Sequence, residues 1–382
     1  MTQEKIIDFM GVRRITSAIS IFLVLASIVC LSTLGLKGGL DFTGGTQLEI
    51  LADKGVSIPQ VRAVLEEEKL KSPTAVLFGS DLEVMIRTQD QMKLKAQELL
   101  NKALAENGQI SAVRRPDMAQ EGYAEVLVVT NSNLEKIKAS GVFNPEQFGR
   151  VEIKQENTDI LVAIEKSLDS VYVNYLIRKI ETATGTNIEL RSSEFVGPQI
   201  GDELRDQGGL GLLAAFFAVF LYVAVQFQWK FSGGAIIALV HDVTITLGFF
   251  SFFQWDFDLT VLAALLALIG YSINDTIVIY DRIRENFRVL RKMDPLQVIN
   301  ISLTQTLGRS IMTSMTVFLV LVVLFLFGGE VLHGFSKALL IGVVVGTYSS
   351  IYIAANLTVA FGVTKEDLMP KVHDNSEADQ LP

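Results

Sequence analysis

Length, composition and charge exclude a uniform soluble domain. The chain has 382 residues, of which 49% are hydrophobic and 20% charged, and its formal net charge is −9. These averages combine long apolar runs with one long polar stretch, a combination typical of a membrane protein that carries a soluble domain. The negative charge and the lack of a long basic run argue against a nucleic-acid partner. The single cysteine, Cys30, excludes an intrachain disulfide.

Six apolar segments are long enough to cross a bilayer, which requires about 20 apolar residues per helix. The first segment carries no charge and is too long for a cleavable signal peptide. The predicted spans are residues 15–36, 208–229, 232–253, 258–280, 310–328 and 338–362, here TM1 to TM6. The remaining segments are a terminal stretch at 1–14, a large domain at 37–207, a loop at 281–309 and a tail at 363–382.

Lysine and arginine in the short loops predict the orientation, because basic loops stay in the cytoplasm. The basic residues cluster before TM1, after TM2, between TM4 and TM5, and after TM6: Lys5, Arg13, Arg14, Lys230, Arg282, Arg284, Arg288, Arg291, Lys292, Lys365 and Lys371. The loops on the opposite side contain almost none. We therefore expect both termini in the cytoplasm and residues 37–207 on the opposite, outer side of the membrane.

The polar domain alternates strand and helix patterns. The predicted elements are a strand at 45–52, a helix at 57–70, a hairpin at 75–88, a helix at 89–107 and a strand at 109–116, then strands at 150–166, a helix at 171–184 and a strand at 187–195. This order predicts ferredoxin-like α+β units, as two consecutive strand–strand–helix–strand blocks. One larger sheet is the alternative. Residues 117–148 are predicted to be an insertion or linker.

Nothing in this domain has catalytic spacing, since it contains no histidine, no cysteine and no cluster of metal ligands. The sequence therefore predicts no enzymatic activity, no cofactor and no metal site. The domain is expected to be a surface for binding or for movement.

Polar residues inside the predicted spans indicate an ion path. Asn274 and Asp275 lie in TM4, His241 and Asp242 near the middle of TM3, and Arg309 at the start of TM5. A carboxylate in hydrocarbon costs several kcal/mol unless something offsets it. Arg309 enters from the same side as Asp275, so we expect the two to pair. A purely structural ion pair is the alternative, and His241 is equally consistent with a proton relay or a satisfied interior histidine.

Two glycine-containing stretches flank the domain: GGLDFTGGT (38–46) and FVGPQIGDEL (195–204). Neither has the Gly-Lys-Ser/Thr ending of a nucleotide-binding loop. We interpret them as flexible joints between domain and membrane, with these candidate residues: Asp41, Gly44, Gly45, Gly197 and Pro198.

Several long motifs resemble one family. GLDFTGGT after TM1, FVGPQIG before TM2, LVHDVTITLG in TM3, GYSINDTIVIYDRIRENF at the end of TM4 and TQTLGRSIMTS opening TM5 are together similar to the SecF family of bacterial protein-export subunits. The resemblance covers TM1 and nearly all of residues 195–363. The domain at 37–207 looks longer than is usual in the family.

The resemblance implies a polytopic α-helical membrane protein with six transmembrane helices and a periplasmic ferredoxin-like α+β domain between the first two. It implies one half of a resistance–nodulation–division-type assembly, completed by SecD and working beside the SecYEG channel and accessory export subunits in the membrane lipid. Such an assembly uses a gradient of H⁺ or Na⁺ to draw unfolded polypeptide outward. The family's intramembrane Asp corresponds to Asp275 and its Arg to Arg309.

Two alternative functions are also consistent with the sequence. A half-size exporter of small molecules from the same superfamily would share the buried carboxylate. A passive assembly scaffold would use Asp275 and Arg309 only to hold helices together. In an active coupling role, burial disfavours the charged form of Asp275 and a nearby guanidinium favours it, so that protonation could switch with small changes in geometry.

Overall fold

The structure is a computed structural model that describes residues 6–116, 122–227 and 229–362. The chain divides into two compact units. The membrane unit comprises residues 1–39 and 203–382, and the soluble unit comprises residues 40–202.

The helices and strands follow one another without long irregular connections in the described residues. The helices are α1 (Arg13–Thr33), α2 (Leu40–Thr43), α3 (Ile58–Glu67), α4 (Met92–Leu104), α5 (Leu134–Ser140), α6 (Pro145–Phe148), α7 (Leu168–Thr184), α8 (Pro198–Gln226), α9 (Trp229–Phe253), α10 (Leu259–Val289), α11 (Pro295–Phe327), α12 (Gly329–Tyr348) and α13 (Ala355–Ala360). A π-helical turn, Ser349–Ala354, joins α12 to α13. The strands are β1 (Lys37–Gly38), β2 (Gly45–Ala52), β3 (Thr74–Phe78), β4 (Ser80–Thr88), β5 (Gln109–Arg114), β6 (Glu125–Thr130), β7 (Val151–Glu156), β8 (Asp159–Ile164), β9 (Ile188–Val196) and β10 (Asp256–Phe257).

The membrane unit contains six helices that are long and apolar enough to span a bilayer. α10 lies at its centre and packs against α9, α11 and α12. Residues 281–309, predicted as a loop, are helical apart from 290–294. α11 begins early because Asp294 caps it, accepting a hydrogen bond from Leu296 N, and Pro295 occupies the first turn, where proline is well tolerated.

The outward faces of α8 and α11 carry large apolar side chains that the chain itself does not cover. The most exposed are Leu210, Leu213, Phe217, Val225, Met312, Val320, Leu326 and Phe327. In water such faces would be unstable, so they suit contact with lipid or with the helices of a partner.

The first sheet of the soluble unit has the strand order β3-β4-β2-β9, and all its pairs are antiparallel. Its elements follow the order β2-α3-β3-β4, then α7-β9, which is the ferredoxin-like β-α-β-β-α-β arrangement. The second sheet has the order β5-β6-β8-β7 and is also antiparallel. Everything from α4 to β8 is thus inserted between the third strand and the second helix of the ferredoxin-like unit.

This nesting corrects the prediction of two consecutive blocks. β9, placed in the second predicted block, pairs with β2 of the first sheet, and β5, placed in the first block, pairs with β6 of the second. Residues 117–148 were predicted to be an insertion or linker, and the linker alternative is wrong: their described part contains β6, a central strand of the inserted sheet that is buried along most of its length. The apolar run VLVV of β6 belongs inside a sheet, since a buried strand is apolar on both faces.

One continuous core stabilises the soluble unit. It joins apolar side chains of both sheets to the inner face of α7, including Leu48, Ile86, Leu127, Val162 and Leu176. Because α7 packs against both α3 and α4, the inserted sheet and the ferredoxin-like sheet share this core.

Three charged residues connect α4, β6 and α7 at the edge of that core. Lys93 Nζ lies 2.6 Å from Glu125 Oε1, and Lys93 N donates to Asp169 Oδ1 at 2.9 Å. Leu168 N donates to the other oxygen of Glu125 at 2.9 Å. Burial raises the pKa of Asp169 above its ordinary value, and repulsion by Glu125 adds to this, although the bond from Lys93 N works against it.

We expect Asp169→Asn to gain stability relative to the native chain as the pH rises. An acid whose pKa is raised by folding binds its proton more tightly in the folded state, so its penalty is absent below the ordinary value of 3.8 and grows above it. Because Asp169 is only half-buried, the change should stay below about 1 kcal/mol. Denaturation of both full-length proteins in detergent at pH 4 and pH 7 measures it. A difference that shrinks with rising pH would contradict the assignment.

Candidate functional site

α10 carries the polar side chains that meet inside the membrane unit. Tyr271, Ser272, Asp275 and Thr276 follow the spacing that places residues on one face of a helix, and the last three are buried. Tyr271 and Asp275 contact α11, Ser272 contacts α9, and Thr276 contacts the π-helical turn. The site is therefore a set of contacts between α10 and the elements around it.

Asp242 on α9 is fully buried and accepts three side-chain hydrogen bonds. Its Oδ1 lies 2.9 Å from His241 Nδ1. Its Oδ2 accepts from Ser272 Oγ at 2.6 Å and from Ser349 Oγ at 2.8 Å. Three donors are enough to satisfy a buried carboxylate, so Asp242 is held in place between α9, α10 and the π-helical turn.

The π-helical turn supplies two adjacent hydroxyl groups to this region. Ser349 bonds to Asp242, and Ser350 Oγ lies 2.9 Å from Thr276 Oγ1 on α10. A single turn of π-helix inside a longer helix is often found at functional sites, because it shifts the direction of the following side chains. Neither Ser349 nor Ser350 was among the candidate site residues predicted from the sequence.

Asp275 has a much poorer environment than Asp242. It is 8% exposed, and its Oδ1 accepts one hydrogen bond, from Ser310 Oγ of α11 at 2.6 Å. Its Oδ2 is buried and has no hydrogen-bond partner among the described residues. An ionised carboxylate in this position would leave one oxygen uncompensated in an apolar surrounding, which is costly.

The expected ion pair between Asp275 and Arg309 is not formed in the described residues, although Arg309 is near enough to act on Asp275 electrostatically. Ser310 faces α10 instead, and the preceding Arg309 is exposed. The reason is helical geometry, since adjacent residues point about 100° apart around the helix axis. The same geometry turns Asn274 outward, where it is exposed beside the buried Asp275.

Arg309 instead lines an open cavity of about 430 Å³ at the end of the bundle where α8 and α10 finish. The cavity wall carries charges of both signs, including Asp281, Arg282 and Glu285. This polar opening lies within about one turn of Asp275, since Val278 of its wall is three residues further along α10.

Three linked hydroxyl groups lie on the side of Asp275 that faces away from this cavity. Tyr271 OH donates to Ser314 Oγ at 2.9 Å, and Thr347 Oγ1 donates to the same atom at 2.7 Å. These residues join α10, α11 and α12 and were not singled out from the sequence. Their signal was present in the spacing of Ser310 and Ser314 on one face of α11.

We expect Ser349→Ala to destabilise the protein by about 1.5–3 kcal/mol, because it removes a donor from a buried carboxylate. Ser350→Ala in the same turn loses only a bond between neutral hydroxyls, so its cost should be about 0.5–1.5 kcal/mol. Thermal aggregation of the two purified variants in one detergent compares them directly. Equal effects would show that Ser349 contributes packing alone.

The five candidate joint residues all lie on the soluble side of the division between the units. Asp41 belongs to α2, Gly44 follows that helix, and Gly45 opens β2, where its Cα partner is Val196 of β9. Gly197 follows β9, and Pro198 begins α8. A hinge at these positions would therefore act within the soluble unit.

The described residues contain no group of three or more His, Cys, Asp or Glu that could hold a metal ion. The polar groups that meet around Asp242 and Asp275 are the two carboxylates, serine hydroxyls and the imidazole of His241. This set suits the binding of a proton or a small cation more than a covalent reaction.

Together, the fold and the site define a multi-pass membrane protein with two intramembrane carboxylates and a ferredoxin-like soluble unit. Residues 176–364 match the family model "Protein export membrane protein SecD/SecF, C-terminal", and residues 31–56 match "SecD/SecF GG Motif". The chain is 38% identical over 381 residues to the protein translocase subunit SecF of Vibrio alginolyticus, covering 99% of this chain and 98% of that protein. It is 35% identical over 377 residues to SecF of Escherichia coli O157:H7, covering 99% and 94%.

The chain belongs to the SecF family of bacterial protein translocase subunits, as its motifs predicted. A crystal structure of SecDF from Thermus thermophilus, described as a translocon-associated membrane protein, matches 94% of this chain with a TM-score of 0.63 and 29% identity. A SecDF structure in a "Super-membrane-facing form" matches 99% with a TM-score of 0.57 and 28% identity. The chain spans 39% and 40% of those two SecDF chains.

Proposed function

We propose that this chain is the SecF-type half of a SecDF-like assembly in the bacterial inner membrane. It couples the movement of H⁺ or Na⁺ through the membrane unit to outward movement of unfolded polypeptide beside the SecYEG channel. The observation that carries the proposal is the contrast between the two intramembrane aspartates. Asp242 is fully satisfied, whereas Asp275 has one donor and one unpartnered oxygen.

Asp275 is the group that exchanges the ion in this proposal. A proton or a cation at Oδ2 removes the cost of the uncompensated oxygen, and the polar cavity lined by Arg309 supplies access from the adjacent end of the bundle. The attraction between Arg309 and Asp275 is present only while Asp275 is ionised. Loading and release of the ion therefore change the force between α10 and α11, which is the two-state element that coupling requires.

Asp242 and His241 hold the other side of α10 in place. Because Asp242 bonds to α9, α10 and the π-helical turn, it fixes a rigid contact against which the α10–α11 interface can change. We assign His241 the role of orienting Asp242, and Asn274 no direct role, since its side chain is exposed and points about 100° away from Asp275 around the helix axis.

A SecD-type partner completes the proposed assembly. The apolar outward faces of α8 and α11 suit helix contacts, and the matched SecDF chains are more than twice as long as the part to which this chain corresponds. In this proposal both termini lie in the cytoplasm and the soluble unit lies in the periplasm, which the basic residues of the short loops support. The soluble unit has a continuous core, and its sequence lacks residues with catalytic spacing. In this proposal it contacts polypeptide and does not act as an enzyme.

Translocation into inverted membrane vesicles tests the proposal. The vesicles contain this chain and its SecD-type partner, and a proton gradient and a sodium gradient are imposed in separate experiments. One of the two gradients should make export of an unfolded precursor faster than it is without a gradient. The gradient that accelerates export identifies the ion. No acceleration by either gradient, combined with gradient-driven efflux of a dye, would favour a half-size small-molecule exporter instead.

A further inference from the structure

A second pocket of the membrane unit has no role in the proposed ion path. It lies between α1, α9 and the segment that includes the π-helical turn and α13, and its volume is about 410 Å³. This is within the range of about 300–1,000 Å³ that is usual for small-molecule sites. From Ser17 to Leu25, it follows α1 for about 12 Å, since each helical residue adds about 1.5 Å.

The wall of this pocket, here the α1–α9 pocket, is mainly hydrocarbon. Ile21, Leu25, Ile237 and Val240 line it, and each is an exposed large apolar residue on a membrane-spanning helix. A lipid-facing groove of this kind requires no polar atoms, because acyl chains cannot form hydrogen bonds. Any buried polar atom behind such a wall therefore needs an explanation.

Two such atoms lie there. His241 Nε2 and Asn356 Oδ1 are both buried and without a hydrogen-bond partner among the described residues, and both residues line the α1–α9 pocket. The only other such side-chain atom in the described residues is Oδ2 of Asp275, in the ion path. The orphaned atoms outside the ion path are thus concentrated at one pocket.

Both atoms accept hydrogen bonds. His241 Nδ1 lies against the Asp242 carboxylate, so the proton of the neutral ring is on Nδ1 and Nε2 has a free lone pair. Asn356 directs its Nδ2 at acceptors of α1, with Ser17 Oγ at 3.1 Å and Arg13 O at 3.3 Å, which leaves Oδ1 as the unpartnered atom. A molecule that satisfies this pocket must bring a hydrogen-bond donor.

We propose that the α1–α9 pocket binds an amphipathic small molecule that has an unbranched apolar body and a hydrogen-bond donor such as a hydroxyl at one end. The body lies along Ile21, Leu25, Ile237 and Val240, and the donor reaches His241 Nε2 or Asn356 Oδ1 by a small rotation of the wall side chains. The occupant also lies behind His241, the residue that orients Asp242.

Photolabelling of the reconstituted full-length protein tests this proposal, and it does not depend on any export assay. The probes are an octanol that carries a diazirine and an octane that carries the same diazirine, each normalised to labelling of the outward face of α11. One neutral hydrogen bond is worth about 1 kcal/mol, so the alcohol should label residues 17–25 and 237–244 about fivefold more than the alkane. Unlabelled 1-octanol should compete for this excess.

Matched tryptophan substitutions locate the site without touching the two acceptors. Val240→Trp fills the pocket from an exposed position and should reduce labelling by the alcohol to the level of the alkane. Val225→Trp on the exposed face of α8 should leave the preference unchanged. Equal labelling by both probes in the native chain would identify an ordinary acyl-chain contact and overturn the proposal. An alcohol preference that survives Val240→Trp would overturn it as well.

Discussion

Asp275→Asn is expected to abolish the gradient-dependent part of polypeptide export while leaving assembly with the SecD-type partner intact. The amide has nearly the same shape and can keep the bond from Ser310 Oγ, but it cannot gain and lose a proton or bind a cation by charge. The rate in inverted vesicles should fall by more than about tenfold, to the level seen without a gradient, since a coupling group has no substitute in its path. If this variant exported polypeptide at the native rate, the coupling role of Asp275 would be wrong.

Two further variants separate charge from position. Asn274→Ala changes the neighbouring exposed side chain on the outer face of α10 and should leave gradient-dependent export unchanged. Ser310→Ala removes the one donor to Asp275 and should reduce the rate less than Asp275→Asn does. The double variant Asp275→Asn/Ser310→Ala should export no more slowly than Asp275→Asn alone, because the two residues act as one unit and its contribution can be lost only once. A passive scaffold would show no such dependence on an imposed gradient in the first place.

The membrane part was predictable because the bilayer imposes a length and a polarity on each span. Six apolar runs of about 20 residues could therefore be placed without knowing their neighbours. What the bilayer does not impose is where a helix ends beyond the hydrocarbon. α10 and α11 accordingly extend well past their predicted spans, to Val289 and from Pro295, through polar residues that a hydropathy pattern cannot distinguish from a loop.

The strand partners of the soluble unit could not be read from the pattern of strands. Apolar alternation shows that β2, β5 and β9 are strands, but pairing is decided by which apolar faces bury one another in three dimensions. β9 pairs with β2 although the whole inserted sheet lies between them in the sequence. α7, which packs along the shared core, connects the inserted sheet to β9. The assumption that neighbouring strands pair was the source of the wrong block boundaries.

The ion pair was mispredicted for a different reason. Depth in the membrane placed Asp275 and Arg309 at a similar level, but depth does not give the rotation of a side chain about its helix axis. Ser310 faces α10 and Arg309 does not, and the two are adjacent in sequence. The spacing of Ser310 and Ser314 by four residues was the available signal, since it marks the polar face of α11.

Gly45→Ala is expected to be the most destabilising small substitution in the soluble unit. Gly45 has φ +142°, a conformation that residues with a side chain rarely adopt, and an added Cβ would lie 2.2 Å from Thr88 O and 2.8 Å from Gln89 Cα. Both atoms are backbone and cannot move aside. Strain and overpacking together should cost roughly 3 kcal/mol or more. Thermal aggregation and trypsin resistance of the full-length protein in detergent measure the loss.

Gly197→Ala is the matched control, because both glycines flank the same pair of strands and both were expected to be flexible joints. Gly197 is not in the positive-φ region, and an added Cβ there would approach only Phe195 Cε1, at 3.9 Å. We expect that variant to fold and resist trypsin like the native chain. If both glycines mattered through backbone freedom, the two variants would instead keep native stability and both lose export. A stable Gly45→Ala protein with impaired export would thus support the interpretation of Gly45 as a flexible joint and contradict the packing explanation.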